Sequence, residues 1–417
     1  MDDLRDYIEW LGDVDFNGKP FNDVDAVILC LISYFDLAPV LDKDGEATVA
    51  ECMPFIPEGK LKLKITGGDL GNVDVFRAAA ASKRFGQLYI SDYVEEMDLD
   101  QNLQFSAVTF SFEDEWSFIA FRGTDSSLIG WKEDFMIGYT QTVAQRKALE
   151  YARRVITKGD EADLDGIPST TFLRRRSTIE KARQEALRTW YIGGHSKGGN
   201  LALYAAALLP EELMDRVAHV WDLDGPGFAP EVISLDLIEK IDPKTTKVIP
   251  EYDVIGRIME VKISDTKVIV SSNMGILEHN IASWCVDHGR LGLSEVQEPK
   301  ENVMDATLRN WIESIPFDDR AVLIDELYEA AAASGAENLE DMAAGGIAGL
   351  EAILSKVKGF SDETKRSLAE LQVAAVDAAK KKITDMPATV IDITKGLVST
   401  LSEAIFKGKK EAEKADE

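Results

Sequence analysis

Cysteine is scarce in this chain: Cys30, Cys52 and Cys285 are the only three, and no two share a CxxC spacing. That excludes a disulfide scaffold and a zinc knuckle, and it fits a reducing compartment. Histidine is sparse as well, four in 417 residues, so any imidazole chemistry must come from His195, His219, His279 or His288. No apolar run approaches the ~20 residues of a membrane span. The N-terminus, MDDLRDYIEW, lacks the basic and apolar regions of a secretory signal. Positive charge is in deficit, with 46 basic against 74 acidic side chains and a net charge of −28. A surface of that sign repels phosphate backbones. Arg174-Arg175-Arg176, the densest basic run, reads as a solvated segment. Together these absences predict a soluble, cytoplasmic protein with no nucleic-acid partner and no transmembrane segment.

What is present is a chain 45% hydrophobic, long enough for a large core with appendages. Residues 21–37 read as a buried or amphipathic helix capped by Asn22 or Asp23, and 74–86 as a second helix. The runs 105–111 and 116–122, split by Glu113-Asp114-Glu115, read as a β-hairpin. Helices are expected over 141–158, 177–188 and 198–208, and strands over 189–193, 218–223, 246–250 and 266–272. Strands alternating with helices predict an α/β fold with a mainly parallel central sheet. From about Pro316 onward the sequence is helix-compatible throughout. The expected domains are therefore 1–310 and a C-terminal all-helical extension, 311–417. An apolar stripe over 388–406 (Val390, Ile393, Leu397, Leu401, Ile405) reads as a helix packed on its own domain, or as a contact for a protein partner or membrane surface.

The strongest chemical signal is Gly194-His195-Ser196-Lys197-Gly198, a G-x-S-x-G motif between an expected strand and an expected helix. That is the setting of a nucleophile elbow, a tight turn that lifts the serine hydroxyl onto the C-terminal edge of a sheet. A serine hydroxyl needs a base. His195 adjoins the serine and is expected to point elsewhere, and His219 opens a strand. His279, just beyond the last strand, is preferred over His288. The acid belongs between serine and histidine in the chain. Asp222, Asp224, Asp236, Asp242, Asp253 and Asp265 are candidates. Asp253 fits as a loop residue after strand 246–250. Asp224 fits after strand 218–223, although Asp224-Gly225 equally reads as a plain turn. Two oxyanion donors are expected: the N–H of Lys197, and Thr124 after the strand that ends in Phe121-Arg122-Gly123.

These segments resemble the fungal-type (class 3) lipases of the α/β-hydrolase superfamily. FRGT at 121–124, followed by Trp131 and Asp134, resembles their oxyanion segment, and GHSKGGNLA at 194–202 their nucleophile elbow. Asp224-Gly225-Pro226-Gly227 resembles the segment after their next strand, Tyr252-Asp253-Val254-Ile255 their acid loop, and Glu278-His279 their histidine loop. The N-terminal FNDVDAVILCLISYFDL and the GHSKGGNLA variant look closer still to a bacterial lipase-like family of unknown function. The resemblance covers about residues 20–290. It implies an α/β-hydrolase fold with Ser196 as nucleophile, Asp253 as acid, His279 as base, and Thr124 and Lys197 as oxyanion donors. No metal or cofactor is needed, and the substrate would be a small ester or lipid-like molecule; thioesters, amides and acyl transfer share the chemistry. A catalytically silent scaffold acting through its helical tail is the alternative. Two features depart from the lipases. Lys197 puts a cation beside the nucleophile, pointing to an anionic substrate group. The stretch 125–190 has no strongly apolar lid, which argues against action on fat droplets.

Overall fold

The computed structural model describes residues 2–42, 45–56, 70–98, 103–124, 140–158, 188–252, 255–259, 261–273 and 275–296, with isolated positions elsewhere. The chain divides into two units, Met1–Asp125 with Ile137–Lys300, and Ser126–Met136 with Glu301–Glu417. Among the described residues of the first unit, the α-helices are α1 (Leu4–Leu11), α2 (Asp23–Ile32), α3 (Leu70–Ala81), α4 (Lys83–Gly86), α5 (Val143–Thr157), α6 (Lys197–Leu208), α7 (Glu211–Met214) and α8 (Leu235–Ile241). Its strands are β1 (Ala47–Thr48), β2 (Tyr89–Asp98), β3 (Leu103–Phe112), β4 (Trp116–Phe121), β5 (Thr189–His195), β6 (Val217–Leu223), β7 (Thr245–Pro250), β8 (Asp265–Ile269), β9 (Val286–Asp287) and β10 (Arg290–Leu291).

Among the described residues, β1 to β8 form one sheet in strictly sequential order. The pairs from β1 to β4 are antiparallel, and those from β4 to β8 are parallel. Each parallel step needs a crossover, and crossovers are right-handed. When every step moves the same way across the sheet, all crossovers fall on one face. Accordingly α5, α6 and α8 share one apolar cluster with Ile119, Phe121, Ile192 and Val220. The opposite face is covered by α1, α2 and α3, packed on Phe110, Phe118, Ala120 and Val248. The sheet is thus a middle layer with helices on both sides, and strands β4 to β7 are buried along most of their length.

The local signals account for the helix starts. Asn22 caps α2 in a reciprocal box with Asp25, and Thr142 caps α5 in the same way with Gln145. The expected helix over 74–86 is two helices, interrupted at Ser82, whose hydroxyl accepts from Phe85 N–H at 3.1 Å. Strand β2 was not expected. A register shift between Ser91 and Val94, with Asp92 at φ 54°, breaks its alternation and hides it from a period-two reading. The expected helix at 177–188 and the stripe at 388–406 lie outside the described residues. In the second unit, Ser361 donates from N–H and Oγ to the Glu326 carboxylate at 2.8 and 3.1 Å, and Ile315, Leu323 and Phe360 are buried. Among the described residues no helix is long and apolar enough to cross a membrane.

Candidate active site

Three parallel strand ends bring the site together. Ser196 follows β5, Asp224 follows its neighbour β6, and His279 closes a 3-10 turn, Gly275–His279, beyond β8. Ser196 N–H donates to the Leu223 carbonyl at 2.9 Å, so the serine continues the β5–β6 ladder by one bond. Its backbone then turns sharply, with φ 60° and ψ −129°, and α6 begins at the next residue. A serine at positive φ is strained and persists only where its surroundings hold it. They do so here by close approach. A Cβ on Gly194 would strike the Gly198 carbonyl, and a Cβ on Gly198 would strike the Phe121 carbonyl. The two glycines of the motif therefore let β5, α6 and the end of β4 meet at van der Waals distance. Ser196 caps α6 without a side-chain bond, which leaves its hydroxyl for other partners.

One such partner is His279, whose Nε2 lies 2.9 Å from Ser196 Oγ. Its Nδ1 lies 2.6 Å from Asp224 Oδ2. Ser196 and Asp224 are buried, while the His279 side chain is 23% exposed and reaches solvent. The carboxylate on the imidazole is therefore that of Asp224. Asp253, expected in that role, lies outside the described residues, as do Trp131 and Asp134. Asp224 can reach His279 because it sits one residue past the strand beside the serine's. There it adopts φ 59°, a left-handed conformation that aspartate tolerates, with its N–H on the Val248 carbonyl at 2.8 Å.

The turn that carries Asp224 is fixed from two sides. Asp222 and Lys247 sit opposite each other on β6 and β7 and form a fully buried ion pair at 2.8 Å. Asp222 also accepts from Gly225 N–H at 2.9 Å, and Lys247 Nζ donates to the Gly225 carbonyl at 2.9 Å. Burial raises the Asp222 carboxyl, and the Lys247 ammonium and the Gly225 N–H oppose that rise. From α6, buried Asn200 donates to the carbonyls of Pro226 and Gly227, both at 3.0 Å, and accepts from Gln145 at 2.9 Å. The helix that starts just after Ser196 thus also clamps the loop of Asp224.

His195 is not a bystander. Its side chain is buried, and its Nε2 lies 2.8 Å from the His279 carbonyl while its Nδ1 lies 2.7 Å from Tyr34 Oη. The two imidazoles are 4.7 Å apart at 34°. Burial, and then the nearness of His279, hold His195 well below the ordinary value for histidine. Lys197 departs from expectation in another way. Its Nζ is buried and donates to the Gln104 carbonyl at 2.8 Å and to Gln104 Oε1 at 3.3 Å. The ammonium is spent on β3, and the reading of an anionic substrate group from Lys197 falls with it. Lys197 N–H opens α6, where a helix's first amides have no partner within the helix. Gly123, before Thr124, is pressed against the serine: a Cβ there would lie 3.1 Å from Ser196 Cβ and 2.6 Å from the His195 carbonyl. The remaining histidines are elsewhere, His219 on Thr246 Oγ1 at 2.8 Å and His288 exposed beside Asp287.

Sequence reasoning missed the contacts of Tyr34 and Asn200, and the pairing of Asp222, weighed there only as a candidate acid, with Lys247. A lysine within TTKVIP and an aspartate within HVWDL are charges inside apolar strand runs, and such charges are buried only when paired. Tyr34 lies within FNDVDAVILCLISYFDL, and nothing in that segment pointed to a bond with His195.

The sequence profile of the family described as Mbeg1-like matches residues 79–329, more than half of the chain. No curated protein matches the chain. Among solved structures it is similar to the crystal structure of M37 lipase, at 14% identity and a TM-score of 0.32, over 62% of this chain and 89% of that one.

Proposed function

We propose that this chain, which belongs to the Mbeg1-like family, is a serine hydrolase of the α/β-hydrolase type that cleaves carboxylic esters. The reading is supported above all by the continuous relay from Ser196 Oγ through His279 to Asp224, with contacts of 2.9 and 2.6 Å, on a serine held at φ 60°. In it Ser196 Oγ attacks the ester carbonyl while His279 Nε2 takes the hydroxyl proton. Asp224 keeps the other imidazole proton on Nδ1 and stabilises the imidazolium that forms. The tetrahedral oxyanion is held by the N–H groups of Thr124 and Lys197, the second reinforced by the N-terminal end of α6. His279 returns its proton to the departing alkoxide. Water, activated by the same imidazole, then releases the acid. No step calls on a metal or a cofactor.

Fluorophosphonate labelling read by intact mass tests this. A single adduct on the wild type, absent in Ser196→Ala and much slowed in His279→Ala, is the expected result. Folded wild type that takes no adduct overturns the assignment and directs attention to a binding role.

A further inference from the structure

We infer that His195 is a positioning residue that holds the His279 backbone in register with Ser196, acting through a fixed tautomer set by Tyr34. The inference rests on the hydrolase reading above. The protonation pattern follows from the bonding partners. A carbonyl oxygen only accepts, so the 2.8 Å contact with the His279 carbonyl requires the proton of His195 to sit on Nε2. Nδ1 is then a bare acceptor, and the Tyr34 hydroxyl, 2.7 Å away, donates to it. Both ring nitrogens are satisfied in the neutral form, and only in this tautomer.

The arrangement matters because of where His279 stands. It ends a short 3-10 turn on a loop, and its ring must meet Ser196 Oγ and Asp224 at once. A loop carries less intrinsic order than a strand end, so the backbone of this residue needs an anchor from the rigid layer. Glu278 and Trp284 supply part of it, since Trp284 Nε1 donates to the Glu278 carbonyl at 2.9 Å and Glu278 accepts from Tyr252 N–H at 2.9 Å. His195 ties the His279 carbonyl to the residue that immediately precedes the nucleophile. The link is direct: the displacement of one residue relative to the other is limited by one hydrogen bond and one ring contact of 4.7 Å. The Trp284 ring, 5.6 Å from the His195 ring at 73°, closes the other side. Neutrality is part of the function. A cation at His195 would face the imidazolium that His279 becomes during acylation and would raise that barrier.

The test uses the full chain with Ser196→Ala, His195→Gln, His195→Phe and Tyr34→Phe. Glutamine restores an N–H near the position of Nε2, and phenylalanine fills the space without a donor. Fluorophosphonate labelling and turnover of a p-nitrophenyl ester are read beside thermal unfolding. We expect His195→Phe to lose roughly 10- to 100-fold in labelling rate and kcat with little change in KM, the cost of misplacing a reacting group by a fraction of an ångström. We expect His195→Gln to recover most of that loss, and Tyr34→Phe to fall between. In 15N-labelled wild type, the His195 imidazole should hold its proton on Nε2 across pH 6 to 8. Rates equal to wild type in His195→Phe overturn the inference, as does an Nδ1–H tautomer in the NMR spectrum. Losses equal in Gln and Phe and matched by equal falls in melting temperature also overturn it, since they mark a purely structural residue. If the wild type takes no adduct at all, the hydrolase reading itself has failed, which is a different result from an adduct indifferent to His195.

Discussion

Replacing Asp224 with asparagine should nearly abolish turnover, and replacing Asp253 should not. The contact at stake is the 2.6 Å bond from His279 Nδ1 to Asp224 Oδ2, made by a carboxylate with no solvent exposure. Asparagine keeps the volume and the hydrogen bond but can present its N–H to Nδ1. The imidazole then carries its proton on Nε2, facing Ser196 Oγ, where a base must be bare. The loss of the imidazolium's counter-charge adds to this. In a chymotrypsin-type triad the corresponding substitution lowers kcat about 10⁴-fold. At ~1.4 kcal/mol per tenfold, that is about 5 kcal/mol of transition-state stabilisation. The assay is kcat/KM on a p-nitrophenyl ester, with fluorophosphonate labelling rates as a substrate-independent check. For Asp224→Asn we expect a loss of roughly 10³- to 10⁴-fold with the fold intact by circular dichroism. For Asp253→Asn we expect a change of no more than about threefold, since the bond to His279 Nδ1 is made by Asp224. A full loss in Asp253→Asn beside a mild effect in Asp224→Asn would refute the assignment and return the acid to the loop after β7.

Other expectations follow from the same geometry. Lys197→Met keeps the backbone N–H at the start of α6 and removes only the ammonium on Gln104. Labelling should stay within a few-fold of wild type while stability drops by about 1–3 kcal/mol, the cost of leaving buried acceptors unmet, measured by urea unfolding. A changed preference between neutral and anionic esters would count against this. Lys247→Met leaves the Asp222 carboxylate buried without its cation and should destabilise the protein by about 3–5 kcal/mol, whereas Asp222→Asn with Lys247→Met together should recover part of the loss. Stability should also fall as the solution is acidified below pH 6.5, before ordinary carboxylates titrate. His195, facing Tyr34, His279 and Trp284, and His219, facing Thr246, Asp23, Asp265, Lys267 and Trp221, are both held below that value, chiefly by burial. Their protons bind the unfolded chain first, so the stability they contribute is whole above about pH 6.5 and is lost on descent through their folded values. His195→Phe should flatten that part of the pH dependence in denaturation midpoints.

The fold was legible where local chemistry and global position agreed. The strands β3 to β8 carry β-branched and aromatic runs, and α2 and α5 announce themselves through Asn22 with Asp25 and Thr142 with Gln145. The tight turn at Ser196 was legible because it is a local object, made of one strand end, one helix start and two glycines between them. The contact of His279 with Ser196 was legible by order along the chain and by the scarcity of histidine. What escaped was whatever depends on lateral neighbours. Strand β2 hides behind its register shift. Tyr34 lies 161 positions from the histidine it bonds, and Lys247 lies 25 positions from the aspartate it pairs with. Neither spacing has meaning until strand order is known.

The proposed choice of Asp224 as the acid shows why that order matters. Along the sequence, Asp224 and Asp253 each follow a strand, and each precedes His279, so chain order alone cannot separate them. The strands that precede them differ in their place in the sheet. Asp224 follows β6, which lies directly beside the serine's β5, whereas β7, the strand before Asp253 in the chain, is one place further along the sheet. His279 Nε2 must stay on Ser196 Oγ, which fixes the ring. Its Nδ1 then lies within one hydrogen bond of the turn after β6. That turn is a strained one, with Asp224 at positive φ, and it is held by a buried ion pair and by an asparagine on the nucleophile's own helix. A plain surface turn has no reason to collect a buried lysine, a buried aspartate and a buried asparagine. Their convergence on Asp224-Gly225 suits the proposed role of Asp224 as the acid, because a carboxylate that must not move during proton transfer has to be fixed through its backbone.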